Sequence, residues 1–334
     1  MIITKTPFRI SFFGGGTDYP VWYREHGGAV LGTTIDKYAY INCRYLPPFF
    51  KHKYRIAYSK LEYVKSLNSI EHPSVRECIR YVGIKSGLEI HYDSDLPAKS
   101  GLGSSSSFTV GLLNSLYTLK KQIVKVPQLA DDAIYVEQKM IKESVGSQDQ
   151  SHAAYGGFNH IEFNQNNNII VNPVEIGEEK ISLLNENILL FFTGFSRFAS
   201  EVAIEQIKNT PNKQKELFEM QSLVTHALDI LNGNINSIDD FGSLLHESWK
   251  MKKSLTNKIS NDAIDEIYDT GIKAGALGGK LLGAGGGGFL ILYATKPNQK
   301  NIIDKLKPLL HVPFKFEKEG SNVIFNYRSL RDYV

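Results

Sequence analysis

One segment of the chain, LPAKSGLGSSSSFTVGLLNSL (residues 96–116), places bare backbone directly before a helical pattern. Glycines and serines come first, and apolar side chains then recur at the spacing of one helix face, at Phe108, Leu112, Leu116 and Leu119. The start of a helix has unpaired N–H groups and the positive end of the helix dipole, and glycine lets a ligand approach the backbone closely. The segment therefore predicts an anion site, most naturally one for a polyphosphate.

Other Gly-rich structures fit this segment less well. A flexible linker does not need a packed helix directly behind it. The chain contains no Walker A sequence, and Ser106 stands where the dinucleotide fingerprint needs its third glycine. A second run, GAGGGG (residues 283–288), matches G-x-G-x-x-G, but it follows a helical segment and precedes the strand-like FLILY. That order predicts a backbone that packs tightly against a neighbouring loop or ligand.

Composition narrows the functional classes. A chain of 334 residues predicts about two domains. Its net charge of +3 is too balanced to indicate nucleic-acid or membrane binding, and its apolar runs are too short to span a bilayer. Cys43 and Cys78 lack metal-ligand spacing, which favours structural thiols in a reduced, cytoplasmic protein.

Hydrophobic patterning predicts a mixed α+β protein. Strands are expected at residues 2–13, 39–44, 88–92, 158–163, 188–193 and 289–294. Helices are expected at residues 106–120, 127–144, 199–208, 213–232 and 262–274. The first half is richer in strands and the second in helices, which favours α+β over a doubly wound sheet. The sequence GEEK separates two strand-like segments, so we expect domains at residues 1–180 and 181–334.

Three ordered motifs resemble those of the GHMP small-molecule kinases. They are KTPFRISFFGGGTDYP (residues 5–20), PAKSGLGSSSS (residues 97–107) and LGGKLLGAGGGGF (residues 277–289). Within that superfamily, FFGGGTDYP and FTGFSRFASE look most like the D-glycero-D-manno-heptose 7-phosphate kinases. The resemblance implies an N-terminal domain like domain 2 of ribosomal protein S5 and a ferredoxin-like C-terminal domain. It also implies an ATP-dependent kinase that converts a heptose 7-phosphate to the 1,7-bisphosphate for nucleotide-activated heptose and surface polysaccharide synthesis.

The resemblance assigns ATP and Mg²⁺ to particular residues. ATP binding falls on the second motif, at Lys99, Ser100, Gly101, Leu102, Gly103, Ser104, Ser105 and Ser106. Mg²⁺ keeps several waters and needs few protein oxygens, and the resemblance puts these on Ser105, or its neighbour Ser104, and on Glu137. The alternative for Glu137 is a solvated helix carboxylate, the commoner fate of a glutamate.

The resemblance also assigns the catalytic pair. Asp149 sits in GSQDQ, which we interpret as a polar segment between a helix and a strand. It would accept the proton of the substrate hydroxyl or orient that hydroxyl, although an aspartate in a loop is more often a turn residue. Arg9 matches the basic residue of the first motif, and a cation there would keep the carboxylate of Asp149 charged and neutralise the phosphoryl group. Its alternative is an ordinary charge at a strand end.

Substrate contacts are expected from the first and third motifs and from Arg197. The resemblance assigns Gly15, Gly16, Thr17, Asp18, Gly285 and Gly286, and a guanidinium at Arg197 would suit a sugar phosphate. An Asp-capped turn at DYP and a surface ion pair of Arg197 stay open as alternatives. Galactokinases carry Glu-His before Thr-Asp, whereas this chain has Gly15 and Gly16, which argues against galactose.

The expected partners are therefore ATP and a small sugar phosphate, and a homodimer stays open. One rival interpretation is a GHMP kinase for a fucose-like or galactose-like sugar. Another is a sugar- and ATP-binding sensor without catalysis, which intact Glu137 and Asp149 argue against. A third is an ATP-using decarboxylase, which the first motif disfavours.

Overall fold

Strands dominate the first half of the chain and helices the second. The structure, a computed structural model, describes residues 1–98, 100–194, 199–233 and 238–327. The strands are β1 (Ile2–Phe13), β2 (Gly28–Tyr45), β3 (Tyr54–Ala57), β4 (Leu61–Val64), β5 (Leu88–Ser94), β6 (Phe158–Phe163), β7 (Ile169–Pro173), β8 (Ile188–Phe192), β9 (Gly278–Leu281), β10 (Phe289–Tyr293), β11 (Leu310–His311), β12 (Phe316–Glu317) and β13 (Asn322–Asn326).

The helices lie on the faces of two sheets. They are α1 (Pro20–His26), α2 (Pro73–Val82), α3 (Ser104–Leu119), α4 (Val126–Tyr135), α5 (Gln148–Tyr155), α6 (Glu178–Glu186), α7 (Ala199–Asn209), α8 (Gln214–Asn232), α9 (Asp240–Leu255), α10 (Asp262–Lys273) and α11 (Lys296–Lys305). None of these described helices has the length and hydrophobicity that a membrane crossing needs. The α+β prediction is confirmed.

The larger sheet is built around two long strands. Its order is β13-β1-β2-β5-β3-β4, and β2 also pairs with β6 and β12. Because β2 runs for 18 residues, it can carry β5 along one stretch and β6 along another. The antiparallel register of β1 and β2 places Arg9 opposite Thr34, in the buried middle of the sheet.

The smaller sheet is antiparallel, with the order β11-β8-β10-β9. An apolar core joins it to the larger sheet, since Phe12 of β1, Phe241 of α9 and Phe289 of β10 are buried in one cluster. The rings of Phe12 and Phe241 meet edge to face at 5.3 Å. The end of β1 is therefore fixed against elements from the second half of the chain.

Several local predictions differ from the structure. The segment that contains Asp149 begins the short helix α5 rather than a loop. The helix expected at residues 127–144 is α-helical only to Tyr135 and continues as a π-turn, Val136–Ile141. The division into domains at residue 180 stays a prediction; residue 180 itself lies in α6, and β12 and β13 pair with β2 and β1 of the larger sheet. The glycine run at residues 283–288 connects strands β9 and β10 rather than following a helix.

Candidate functional site

A cavity of about 580 Å³ lies where β1, α3, α5, α7, α9 and the β9–β10 connection meet. Many residues that the sequence assigned to a site line it, namely Arg9, Gly15, Gly16, Asp18, Gly101, Gly103, Ser104, Ser105, Ser106 and Asp149. Segments far apart in the sequence thus share one concave surface, which is the usual form of a small-molecule site.

The start of α3 faces this cavity. Gly103 is the N-cap residue, with a φ of 75° and no side-chain cap. The amide of Ser107 donates to the carbonyl of Gly103 at 2.9 Å. The amides of the preceding first turn therefore point out of the helix without an intrahelical acceptor. Together with the helix dipole, they form the kind of N-terminus that binds phosphate oxygens.

The glycines of this loop allow its backbone to pack closely against other segments of the chain. A Cβ on Gly101 would lie 2.5 Å from the carbonyl oxygen of Leu282, and one on Gly283 would lie 2.5 Å from the Cα of Gly101. A Cβ on Gly103 would lie 3.2 Å from Cγ of Arg9. The second and third sequence motifs therefore pack back to back, at distances that exclude a side chain.

Arg9 and Asp149 form a bidentate ion pair at the centre of the lining. Nε of Arg9 donates to Oδ1 of Asp149 at 2.8 Å, and Nη2 donates to Oδ2 at 2.9 Å. Nη1 of Arg9 donates to the carbonyl of Gly101 at 2.7 Å. The arginine side chain is buried, whereas that of Asp149 is 27% exposed. The fork of Arg9 thus aligns a carboxylate that can still receive a proton from a ligand.

Glu137 lies on the π-turn and is completely buried. Its Oε2 accepts hydrogen bonds from Oγ of Ser106, at 2.9 Å, and from Nε2 of Gln150. Oε1 has no hydrogen-bond partner within the described part of the chain, and the Thr109 hydroxyl, which lies near enough to lower the pKa of Glu137, donates to the Ser105 carbonyl at 3.2 Å. Burial raises the pKa of Glu137 to about 7.

This arrangement fits a hard cation through one carboxylate and one hydroxyl. A buried carboxylate oxygen without a donor is the ligand type that Mg²⁺ prefers. The hydroxyl beside it belongs to Ser106, whereas Ser105, which the sequence paired with Glu137, is exposed on the cavity wall. Clusters of three or more His, Cys, Asp or Glu side chains able to hold a metal are absent from the described residues, so any cation here would need ligand or water oxygens as well.

Asp18 occupies the other end of the cavity. Its Oδ1 accepts a hydrogen bond from the amide of Gly16 at 2.9 Å. Burial raises its pKa, and the charge of Asp149 acts in the same direction, while the Gly16 amide opposes them. The adjacent Gly146 leaves room for this carboxylate, since a Cβ there would lie 1.8 Å from Oδ2.

Other predicted residues lie away from the cavity. The Thr17 hydroxyl is buried, 2.8 Å from the carbonyl oxygen of Gly14 and 2.9 Å from that of Ala29, where it holds the turn. Gly285 and Gly286 pack on Ile259, and Gly283 with Ala284 lines the cavity instead. Ser100 and Leu102 are buried beneath the loop. Lys99 and Arg197 lie outside the described residues.

Sequence reasoning missed two buried lysines in the lining, Lys252 of α9 and Lys280 of β9. Lys280 stands inside the third motif, so its position was a usable signal. Lys252 carries no such signal, because it lies in the run KMKK, which is typical of an exposed helix face.

Comparisons with known proteins show the family of this chain. Family models described as GHMP kinases N terminal domain and GHMP kinases C terminal match residues 67–157 and 227–309. A D-glycero-alpha-D-manno-heptose 7-phosphate kinase from Campylobacter jejuni is 31% identical over 335 residues, covering 96% of this chain and 97% of its own. A galactokinase from Pyrococcus furiosus is 24% identical, covering 91% and 92%.

A solved structure of a similar protein has a similar fold. The crystal structure of a D-glycero-D-manno-heptose 1-phosphate kinase from Bacteroides thetaiotaomicron is similar with a TM-score of 0.76 and 25% identity. The match covers 98% of this chain and 100% of that one.

Proposed function

This chain belongs to the GHMP kinase family, and from that premise we propose that it transfers the γ-phosphoryl group of ATP to the anomeric hydroxyl of a heptose 7-phosphate. The observation that carries the proposal is the Arg9–Asp149 pair, held between the start of α3 and the carboxylate of Asp18. A phosphate donor at the helix start and a hydroxyl acceptor at Asp18 would meet at this pair.

The chemistry divides among these residues. The amides at the start of α3 hold the phosphates of ATP, and Arg9 offsets the negative charge that spreads over the transferring group. Asp149 accepts the proton of the attacking anomeric hydroxyl. The new bond joins the anomeric oxygen to the γ-phosphorus, the bond to the β-phosphate oxygen breaks, and ADP leaves.

Glu137 and Ser106 would hold Mg²⁺ beside the phosphates. The ion, when bound, supplies positive charge that neutralises the phosphate oxygens. Support comes from the unpartnered Oε1 of Glu137 and from the hydroxyl of Ser106 next to it. Reliance on ATP is consistent with the cytoplasmic location that the composition indicates.

Gly15 and Gly16 favour a long acceptor over a hexose of the galactose type. The two glycines line the cavity and present no side chain to the sugar. A Cβ on Gly15 would make ordinary contacts, 3.8 Å from Oγ of Ser11 and 3.9 Å from Nε2 of Gln148, so the glycine leaves the space of a side-chain atom to the acceptor.

The test is ADP release with purified enzyme against a panel of acceptors. The panel holds D-glycero-D-manno-heptose 7-phosphate, the matching 1-phosphate, the free heptose, L-fucose and D-galactose. We expect the highest kcat/KM with the 7-phosphate and a 1,7-bisphosphate product, identified by phosphorus NMR. The 1-phosphate is the control for the position of transfer: its anomeric oxygen already carries a phosphate, so it should not be phosphorylated there.

Each alternative has its own outcome in that panel. A preference for fucose or galactose would replace the proposed acceptor while keeping the kinase. Binding of ATP and sugar without ADP release would instead support a sensor. Asp149→Asn, assayed beside the wild type, checks that any ADP release belongs to this site.

A further inference from the structure

Two buried ammonium groups line the cavity, and the phosphoryl-transfer chemistry above uses neither. Nζ of Lys252 donates to the carbonyls of Leu281, at 3.0 Å, and Gly283. Nζ of Lys280 donates to the carbonyl of Phe12 at 2.7 Å. The two residues are only 6% and 2% exposed.

Both ammonium groups have N–H donors for which the described residues provide no acceptor. An ammonium carries three N–H donors, so Lys252 has one beyond its two carbonyls. Lys280 has two, since Phe12 is its one hydrogen-bond partner within the described residues. A buried donor without an acceptor is costly, and both side chains line a cavity that a ligand can fill.

The charges of the lining are not balanced at this end. The basic side chains of the lining are Arg9, Lys142, Lys252 and Lys280, and the acidic ones are Asp18, Glu143 and Asp149; the charges of Arg9 and Asp18 act on Lys252 and Lys280. Because Arg9 and Asp149 are paired with each other, two lysines are left to share Asp18. Buried charge without a counter-ion is unfavourable, so an anionic ligand would relieve the excess.

Both lysines lie near Asp18, where we place the acceptor. Lys280 reaches the carbonyl of Phe12, just before the turn that carries Gly15, Gly16 and Asp18. Lys252 donates to Leu281, at the end of β9, and to Gly283, and the charge of Asp18 acts on both lysines.

We propose that Lys252 and Lys280 bind the phosphate group of the acceptor and so make the enzyme select a phosphorylated sugar. This inference rests on the proposed function, because it concerns the same acceptor. It assigns the selection to two residues from the second half of the chain, in addition to Arg197, which the sequence suggested.

Protonation gives an independent readout. Burial lowers the pKa of Lys252 to about 7, with Arg9 acting in the same direction and Asp18 opposing it. Burial also lowers the pKa of Lys280, and the charges of Lys252 and Arg9 add to that effect. At pH 8 the amine of Lys252 is therefore mostly neutral in the free enzyme, and binding of a phosphate dianion should make it take up a proton.

The experiment measures kcat/KM for heptose 7-phosphate and for the free heptose in Lys252→Met, Lys280→Met and wild type. We expect kcat/KM for the phosphorylated acceptor to fall roughly ten- to a hundred-fold more than kcat/KM for the free sugar, as for a lost charge-assisted hydrogen bond, because loss of the carbonyl contacts would lower both alike. Lys253→Met is the matched control, because Lys253 pairs with Asp265 at 2.9 Å and does not line the cavity.

Calorimetry in buffers of different ionisation enthalpy measures the proton uptake at pH 8. The wild type and Lys253→Met should take up protons on binding heptose 7-phosphate, and Lys252→Met should take up fewer. If a methionine variant does not fold, Lys252→Gln and Lys280→Gln replace it, since an amide can still donate to a carbonyl.

The outcomes separate this inference from the proposed function. Equal losses on both acceptors, or unchanged affinity for heptose 7-phosphate in folded variants, would overturn the role of the lysines alone. A wild type that phosphorylates only unphosphorylated sugars would overturn the proposed acceptor, and the role of the lysines with it.

Discussion

Gly101→Ala should destabilise the protein more than Gly83→Ala, although both glycines have nearly the same positive φ. The φ angles are +81° and +73°. Left-handed backbone costs an alanine about 1–2 kcal/mol at either position. A Cβ on Gly83 meets nothing within 4 Å, whereas one on Gly101 would lie 2.5 Å from the backbone oxygen of Leu282. Relief of that clash requires backbone movement, which adds about 1–3 kcal/mol at Gly101 alone.

Chemical denaturation measures both variants, with the free energy of unfolding compared at equal m-value. The difference between them isolates the contact of the loop with Leu282. ATP affinity provides a second comparison, because the Gly101 carbonyl accepts a hydrogen bond from Arg9 at 2.7 Å. Affinity should fall in Gly101→Ala and stay unchanged in Gly83→Ala. If the free energies of unfolding of the two variants agreed within about 0.5 kcal/mol, the contact of Gly101 with Leu282 would not exclude a side chain.

Two further predictions concern the carboxylates of the site. Asp149→Asn should lower kcat by about 10²- to 10⁴-fold and leave ATP affinity nearly unchanged. Steady-state kinetics measures this, and near-normal turnover of the variant would exclude Asp149 as the base. Because Mg²⁺ needs ionised Glu137, whose pKa burial raises to about 7, the Mg²⁺ concentration for half-maximal activity should rise as pH falls below 7. This Mg²⁺ concentration should rise about ten-fold per pH unit well below pH 7. Glu137→Gln should need more Mg²⁺ at every pH and should not show this rise. A pH-independent Mg²⁺ requirement in the wild type would contradict the assignment of Glu137.

Local sequence patterns predicted the elements that carry their own periodicity. β1 occupies the residues expected for it, and α3 begins two residues before the predicted start. A polar break, NQNNN, stands between β6 and β7, where the amide of Asn164 donates to the carbonyl of Asn168 at 2.9 Å. In each case neighbouring residues supply the whole signal, either an apolar stripe or a polar break between strands.

Features that depend on tertiary contacts were not predictable in this way. The residues QDQSHAAY form α5, although serine and aspartate favour caps and turns, because the helix packs on α3 and α4. Whether Ser105 or Ser106 meets Glu137 depends on the rotation of α3 about its axis, and that rotation follows from the residue at which the helix begins. The π-turn, which sets the direction of Glu137, has no local sequence signature here.

The catalytic geometry is held together largely by backbone atoms of the three motifs. The amide of Arg9 donates to the carbonyl of Leu102 at 3.0 Å, and the amide of Phe289 donates to that of Ser100 at 3.1 Å. Lys280 then joins the third motif to the first through Phe12. Because each motif is bonded to another, movement of any one displaces the others. Substitutions at the motif contacts should therefore lower stability and activity together, whereas Asp149→Asn, which leaves these three bonds in place, should separate the two effects.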